Sequence, residues 1–485
     1  MEKSLKASSK KAMLPWVILY AAVCVGFMLL PLPLLSRLFF VLSASNFFFC
    51  AVYYGNIYNL PGIFATIFLL QIACSQAKLT AVEQADFGKS TWIVLLSVLA
   101  AFYVVVFVFN KLFHLKKRSM SADFNFRLVP SVLLFLNIAC LVIEAVFYIW
   151  VYSRLGTLPL FDDVVRARTL PRMICNFGTT FMVLPQFMVM LNMAYCVKNR
   201  KYWLSLFSIV FLGMLITTGA RINVFIPTLV CLVTILIGMY QYKKRFWELF
   251  AVAAMTCVVV VALMVSIPML RTGSYVPPDS DGIDRPGGTT TGESYYVTIY
   301  SDASMNRSQK DVDPNYGVKL PAAVLPIWVN FSTELHAFNN MVTTLDQTHD
   351  YQYGKCFLTG TLNFLFKSVV EKPDSTELSN IDFITVCTFL MEPYHDFGVI
   401  GAALFVALYM AAGLYLYKRM MEKRTLFSVL YYSYFCMIAV MFIFVNHIYY
   451  STFVVNTIII ALCCWMVSVD WWKLIFRRGG KRAVQ

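Results

Sequence analysis

Twelve stretches of this chain, each roughly 15 to 25 residues long, are almost free of charge, and that pattern restricts the fold before any motif is read. They run Met13–Leu35, Leu38–Tyr54, Pro61–Ser75, Trp92–Phe109, Leu128–Tyr152, Thr179–Ala194, Tyr202–Thr217, Val224–Tyr240, Phe246–Pro268, Gly398–Tyr417, Thr425–Val445 and Thr452–Val469. A helix needs roughly 20 apolar residues to cross a bilayer, because each residue advances it by only about 1.5 Å. Hydrophobic residues make up 59% of the 485 and charged residues 14%, too little polar surface to solvate a water-soluble protein of this length. The expected fold is therefore an all-α polytopic membrane protein with about twelve transmembrane helices. The first apolar run lacks a small-residue cleavage site and is read as a helix that stays. The second and third runs are the weakest, since both are short and the chain breaks at Asn56–Pro61; a tilted or re-entrant hairpin is an alternative there.

The formal charge of +14 does not point to nucleic acid. The basic residues form short clusters at the ends of apolar runs, where they act as orientation signals. With the N-terminus and its Lys3, Lys6, Lys10 and Lys11 in the cytoplasm, 24 of the 40 basic residues fall on the inner side. They sit in short segments, Lys111–Arg127, Lys198–Lys201, Lys243–Arg245, Lys418–Arg424 and the tail. Both termini are then expected in the cytoplasm, in an inner-type membrane. Three blocks follow: helices in 1–270, a large extracytoplasmic loop over 271–397, and the last helices with a basic tail in 398–485. The loop opens with an irregular Pro/Gly/Ser/Thr/Asp-rich piece, Tyr275 to Glu293, and continues into amphipathic runs at Leu320–Met341 and Phe357–Val370. No internal repeat of the kind many transporters carry is visible.

Most of the thirteen cysteines lie in apolar runs, with no metal-ligand spacing and no CxxC pair, and read as small buried hydrophobes. Cys356 and Cys387 fall in the loop, and spacing does not decide whether they pair. No P-loop, GxSxG or HExxH is present, so an ATPase, a serine hydrolase and a zinc protease each lack their recognisable parts. Glu144 is the main ionisable residue inside an apolar run.

Chemistry is expected on the outer side, where 20 of the 26 acidic residues and four of the five histidines fall. Arg166, Arg168 and Arg172 occupy an outer loop, Arg221 follows Thr217–Thr–Gly–Ala at a helix tip, and Arg271 ends the helix that opens the large loop. These arginines run against the orientation bias. A forked guanidinium suits a diphosphate, while surface ion pairs and snorkelling to lipid phosphate are the plainer readings. A second constellation precedes the tenth apolar run: Glu392, Tyr394, His395 and Asp396, in Glu–Pro–Tyr–His–Asp–Phe–Gly–Val–Ile–Gly401. His395 is the first candidate for proton transfer, and Asp396 before an apolar run also fits an N-cap. Glu334 and His336 form a looser pair. A spacing of two puts them on different faces of a helix, so a shared role requires a loop or strand.

Together these residues resemble the bacterial oligosaccharide-repeat-unit polymerases, the O-antigen polymerases. The likeness lies in the Gly-x-x-Pro-Leu stretch with downstream arginine at Gly156–Arg168, the Thr-Gly-x-Arg turn at Thr218–Arg221, the late outer loop, and Tyr-x-Asp-Phe-Gly-x-x-Gly at Tyr394–Gly401. The resemblance implies a metal-independent membrane glycosyltransferase of the C class, without a cofactor, acting on polyprenyl-diphosphate-linked oligosaccharides on the periplasmic or outer face of a bacterial inner membrane. It also implies a flippase and a chain-length regulator as partners, and no nucleic acid. The competing readings are an O-antigen-ligase-type transferase, a lipid-linked oligosaccharide flippase or other transporter, and a structural partner in an envelope assembly.

Overall fold

The computed structural model describes residues 2–30, 32–79, 85–115, 124–126, 128–156, 184–218, 220–271, 325–359, 378 and 388–469. Among them all regular structure is helical. The long helices are α1 (Glu2–Met28), α2 (Leu34–Tyr54), α3 (Leu60–Ser75), α4 (Lys89–Phe113), α5 (Pro130–Leu155), α6 (Leu184–Asn199) and α7 (Ser205–Thr217). They continue as α8 (Arg221–Gln241), α9 (Phe246–Arg271), α10 (Leu325–Thr348), α11 (Met391–Lys423), α12 (Leu426–Met441) and α13 (Ser451–Ser468).

Among the described residues five stretches are long and apolar enough to cross a membrane: Leu34–Tyr54, Lys89–Phe113, Pro130–Arg154, Ile222–Gln241 and Met391–Lys423. Six shorter apolar helices accompany them: Met13–Met28, Leu60–Ser75, Tyr202–Thr217, Phe246–Ala262, Leu426–Met441 and Thr452–Ser468. The run expected at Thr179–Ala194 is a helix over Leu184–Asn199, and its expected start lies outside the described residues. The apolar faces are turned outward. On α5, Ile138, Val142, Val146 and Ile149 are exposed while Leu133, Asn137, Glu144, Tyr148 and Val151 are buried. That inversion of the water-soluble pattern is what a lipid surround favours, because lipid gives exposed aliphatic groups no penalty.

The chain forms two compact units, so the three sequence blocks interleave. The first unit contains 1–120, 290–421 and 435–454; the second contains 121–289, 422–434 and 455–485.

In the first unit α2 packs along α3, and α10 packs on α3 and α4. The break foreseen at Asn56–Pro61 is a capped helix start. Asn59 accepts a hydrogen bond from the Gly62 amide at 2.8 Å, and Pro61 occupies the first turn, where its missing N–H costs nothing. Buried hydroxyls tie α2 to α3: Ser36 donates to the Ala73 carbonyl at 2.8 Å and Ser43 to that of Thr66 at 2.7 Å. Phe64, Phe389, Tyr409 and Phe442 form an aromatic core, with Phe389 and Phe442 stacked at 4.5 Å.

In the second unit α6 packs on α5, α7 and α8, and α8 on α9. Asn137 and Asn192 exchange amide hydrogen bonds between α5 and α6 at 2.9 and 2.8 Å. At a helix junction Arg245 binds both carboxylate oxygens of Glu248, at 2.9 and 3.3 Å.

Candidate functional site

The described part of the site is built on one interrupted helix. The expected helix Gly398–Tyr417 begins earlier, at Met391, and continues to Lys423. It breaks at Phe397 (φ −142°, ψ 21°) and Gly398 (φ 60°, ψ −144°). Gly398 takes a conformation that a side chain resists. Gly401 has a different reason for being glycine: a Cβ there would lie 2.2 Å from the Pro393 carbonyl oxygen. The two glycines of the Gly-x-x-Gly segment thus allow the turn Met391–Phe397 to fold back against the start of the long apolar helix.

Three other segments hold this turn. Upstream, Phe389 donates its amide to the Phe442 carbonyl at 3.1 Å, and the Asn446 side chain donates to the Phe389 carbonyl at 3.0 Å. The amides of Gln352 and Tyr353 donate to the carbonyls of His395 and Asp396 at 2.9 and 3.0 Å. The Tyr394 hydroxyl donates to Asp346 on α10 at 3.2 Å, and its ring meets Phe338 edge-on.

Glu392, His395 and Asp396 are all buried, but their surroundings differ. Asp396 accepts hydrogen bonds from the amides of Cys356 and Phe357, at 2.9 and 3.0 Å, one on each carboxylate oxygen. It caps a helix, as its sequence position allowed. The helix is a different one, opening at Lys355 about forty residues upstream of it. With both oxygens engaged by backbone, Asp396 is a positioning residue. His395 places Nδ1 3.8 Å from the Cys356 thiol. Tyr449 stands beside the same groups and packs against Phe357. Burial, together with the charges of Asp396, Glu392 and Cys356, pushes its hydroxyl up, which keeps it a proton donor at neutral pH.

Glu334 and His336 lie on α10, a helix, and therefore do not pair. His336 points to α3, where its Nε2 meets the Ser75 carbonyl at 2.8 Å and its ring meets Phe87. Burial pushes the ring down to about 4 against that hydrogen bond, so it is a neutral packing histidine. The same face of α10 offers the Ser332 carbonyl to the Ser75 hydroxyl at 2.7 Å, and the Asn339 side chain to Gly88 and Thr91 at the start of α4.

Among the arginines, Arg221 opens α8 and Arg271 closes α9; only their backbones are described. Arg166, Arg168 and Arg172 lie outside the described residues, as do Cys387 and most of the run Phe357–Val370. The described site thus consists of Glu392, Tyr394, His395 and Asp396 with Asp346, Cys356 and Tyr449, and the last three belong to no motif that the sequence displays. Cys356 comes near His395, and Tyr449 near Cys356 and Asp396, only through long-range packing. Among the described residues no three His, Cys, Asp or Glu side chains are grouped so as to hold a metal ion. No protein-family model matches the chain, and no curated protein or solved structure matches it either.

Proposed function

We propose that this protein polymerises polyprenyl-diphosphate-linked oligosaccharide repeat units on the extracytoplasmic face of a bacterial inner membrane. In this reading the chain crosses the membrane about twelve times with both termini inside, and residues 271–397 stand outside. The growing glycan on one lipid is the donor and a hydroxyl of a second lipid-linked repeat unit is the acceptor. The hydroxyl oxygen attacks the anomeric carbon, its proton passes to a base, and polyprenyl diphosphate leaves. The leaving group is already good, so the protein's contribution is to position the reactants, accept the proton and compensate the diphosphate charge.

The observation that carries the reading is the buried turn Met391–Gly398. It gathers an imidazole and a carboxyl at the start of a long apolar helix, while Asp396 is committed to backbone amides. His395 is the first candidate for the base, Glu392 the second, and Tyr394 helps to line the acceptor side. Arg221 and Arg271, with Arg166, Arg168 and Arg172, are assigned to the diphosphate.

Polymer length in cells tests this, at matched membrane levels of His395→Ala, Glu392→Gln, Arg221→Lys and Arg221→Ala. A loss of about 10²-fold or more is expected for His395→Ala and for both Arg221 variants, since lysine supplies charge without the fork. Near-normal polymer in all four retires the site. Repeat units trapped inside the cell identify a flippase instead. A reporter fused at Ser301 is expected to read outside the cytoplasm.

A further inference from the structure

The second unit contains a carboxyl that the polymerisation reading does not use. Glu144 lies about 21 Å along the roughly 39 Å length of α5, within the apolar stretch Pro130–Arg154. It is completely buried, and neither carboxyl oxygen has a hydrogen-bond partner among the described residues. An anion with no partner in such a place is very unfavourable, whereas the neutral acid is tolerated.

Glu144 is not an isolated polar group. The inward face of α5 carries the buried Asn137, Glu144 and Tyr148 and the half-buried Tyr152 at helical spacing. At one end Asn137 is joined to Asn192 of α6, which also donates to Ser208 of α7 at 3.2 Å. At the other end the Tyr152 hydroxyl bonds Thr217 of α7, and the Tyr148 and Tyr152 rings meet edge-on at 5.4 Å. A polar seam therefore runs along a helix whose exposed residues from Phe135 to Trp150 are aliphatic and aromatic. The titratable groups that interact with Glu144 are Cys140 and Tyr148, about one turn to either side, and Cys463 on α13 is coupled to Cys140. From α6 and α7 the seam receives Asn192, Ser208 and Thr217, none of which titrates.

We propose that Glu144 is a proton-binding site within this seam, holding its proton at neutral pH. Its ligand is the proton and not a metal cation, because among the described residues no three His, Cys, Asp or Glu side chains are grouped around it, and the amide oxygens of Asn137 and Asn192 on the same seam are already engaged with each other.

The test uses the full chain in lipid vesicles. Dicyclohexylcarbodiimide reacts with a protonated carboxyl in apolar surroundings: the acid proton moves to a carbodiimide nitrogen, the carboxylate oxygen adds to the central carbon, and acyl migration gives a stable N-acylurea with no leaving group. Mass spectrometry is expected to find the adduct on Glu144 near neutral pH, falling about tenfold per pH unit once the anion dominates. The infrared carbonyl band of a protonated acid is expected to disappear in Glu144→Gln and to persist in Glu144→Asp. Failure to find the adduct, or an unchanged band in a monodisperse Glu144→Gln protein, overturns the proposal. Protection from labelling by sodium at constant pH also overturns it, in favour of a metal cation. Polymer formation is not among these readouts, so either proposal can fail without the other.

Discussion

The two units bury polar side chains in different ways. In the first, the buried side chains mostly bind backbone: Asp396 holds two amides, Asn59 and Asn339 cap helices, and Ser36, Ser43, Ser75 and His336 meet carbonyls. In the second, they more often meet one another, as in Asn137 with Asn192, Thr234 with Ser433 and Asn456 with Tyr434. The physical reason is where they sit. Helix ends and turns leave N–H and C=O groups that need partners, and a nearby side chain supplies one. Along a helix interior the amides are already paired and a carbonyl accepts only as a second partner, as from Asn137 at Leu133 and Thr234 at Val230, while Glu144 has no partner among the described residues.

The largest effect should come from Asp396. Asp396→Ala strips the two amides of Cys356 and Phe357 of their acceptor, and should cost about 3–5 kcal/mol in denaturant unfolding, since two amide donors lose their partner at once. Asp396→Asn keeps one acceptor and should cost clearly less. Hydrogen exchange should accelerate first at Cys356 and Phe357; unchanged exchange there would break the contrast between the units.

Acid comes next. His336 and His447 are both pushed down to about 4 by burial, below the ordinary imidazole value near 6.5. Between these values the unfolded chain binds more protons than the folded one, so stability rises with pH. It should be full above about pH 6.5, decline toward about pH 4 and level off below, with up to about 3 kcal/mol from each ring. Thermal unfolding from pH 7 to pH 4 measures this, and His336→Gln should remove part of the slope.

The two glycines should matter less. Gly398→Ala forces a side chain into a strained backbone conformation, and Gly401→Ala drives a methyl into the Pro393 carbonyl. Each should cost about 1–3 kcal/mol, read as lowered thermal stability of the purified protein. The smallest effect belongs to the second unit. A double-mutant cycle with Asn137→Ala and Asn192→Ala should give a coupling of about 0.6 kcal/mol, the usual scale for polar pairs between membrane helices. A coupling as large as the Asp396 effect would erase the difference between the two kinds of burial.

The apolar runs were legible because hydropathy over some twenty residues is a local property, and eleven of the twelve expected stretches coincide with apolar helices. Their ends were less so. α4 extends to Lys89 and Phe113, and α11 starts at Met391, because caps and glycine conformations set the boundaries. The cluster Glu392–Asp396 was visible as a concentration of titratable residues before an apolar run. The individual roles were not: Asp396 caps a helix opening at Lys355, and His336 serves α3, because a hydrogen-bond partner forty or more residues away leaves no mark on local spacing.

The sequence by itself determined that this chain is helical, apolar on its outer faces and short of polar surface, since a lipid-like surround is the only one in which such a composition is stable. The tertiary structure decided which buried polar groups are spent on backbone and which are left to act. Whether a carboxyl is engaged, as in Asp396, or without a hydrogen-bond partner among the described residues, as in Glu144, depends on what packing brings within about 3 Å, and that distance is set by the whole fold.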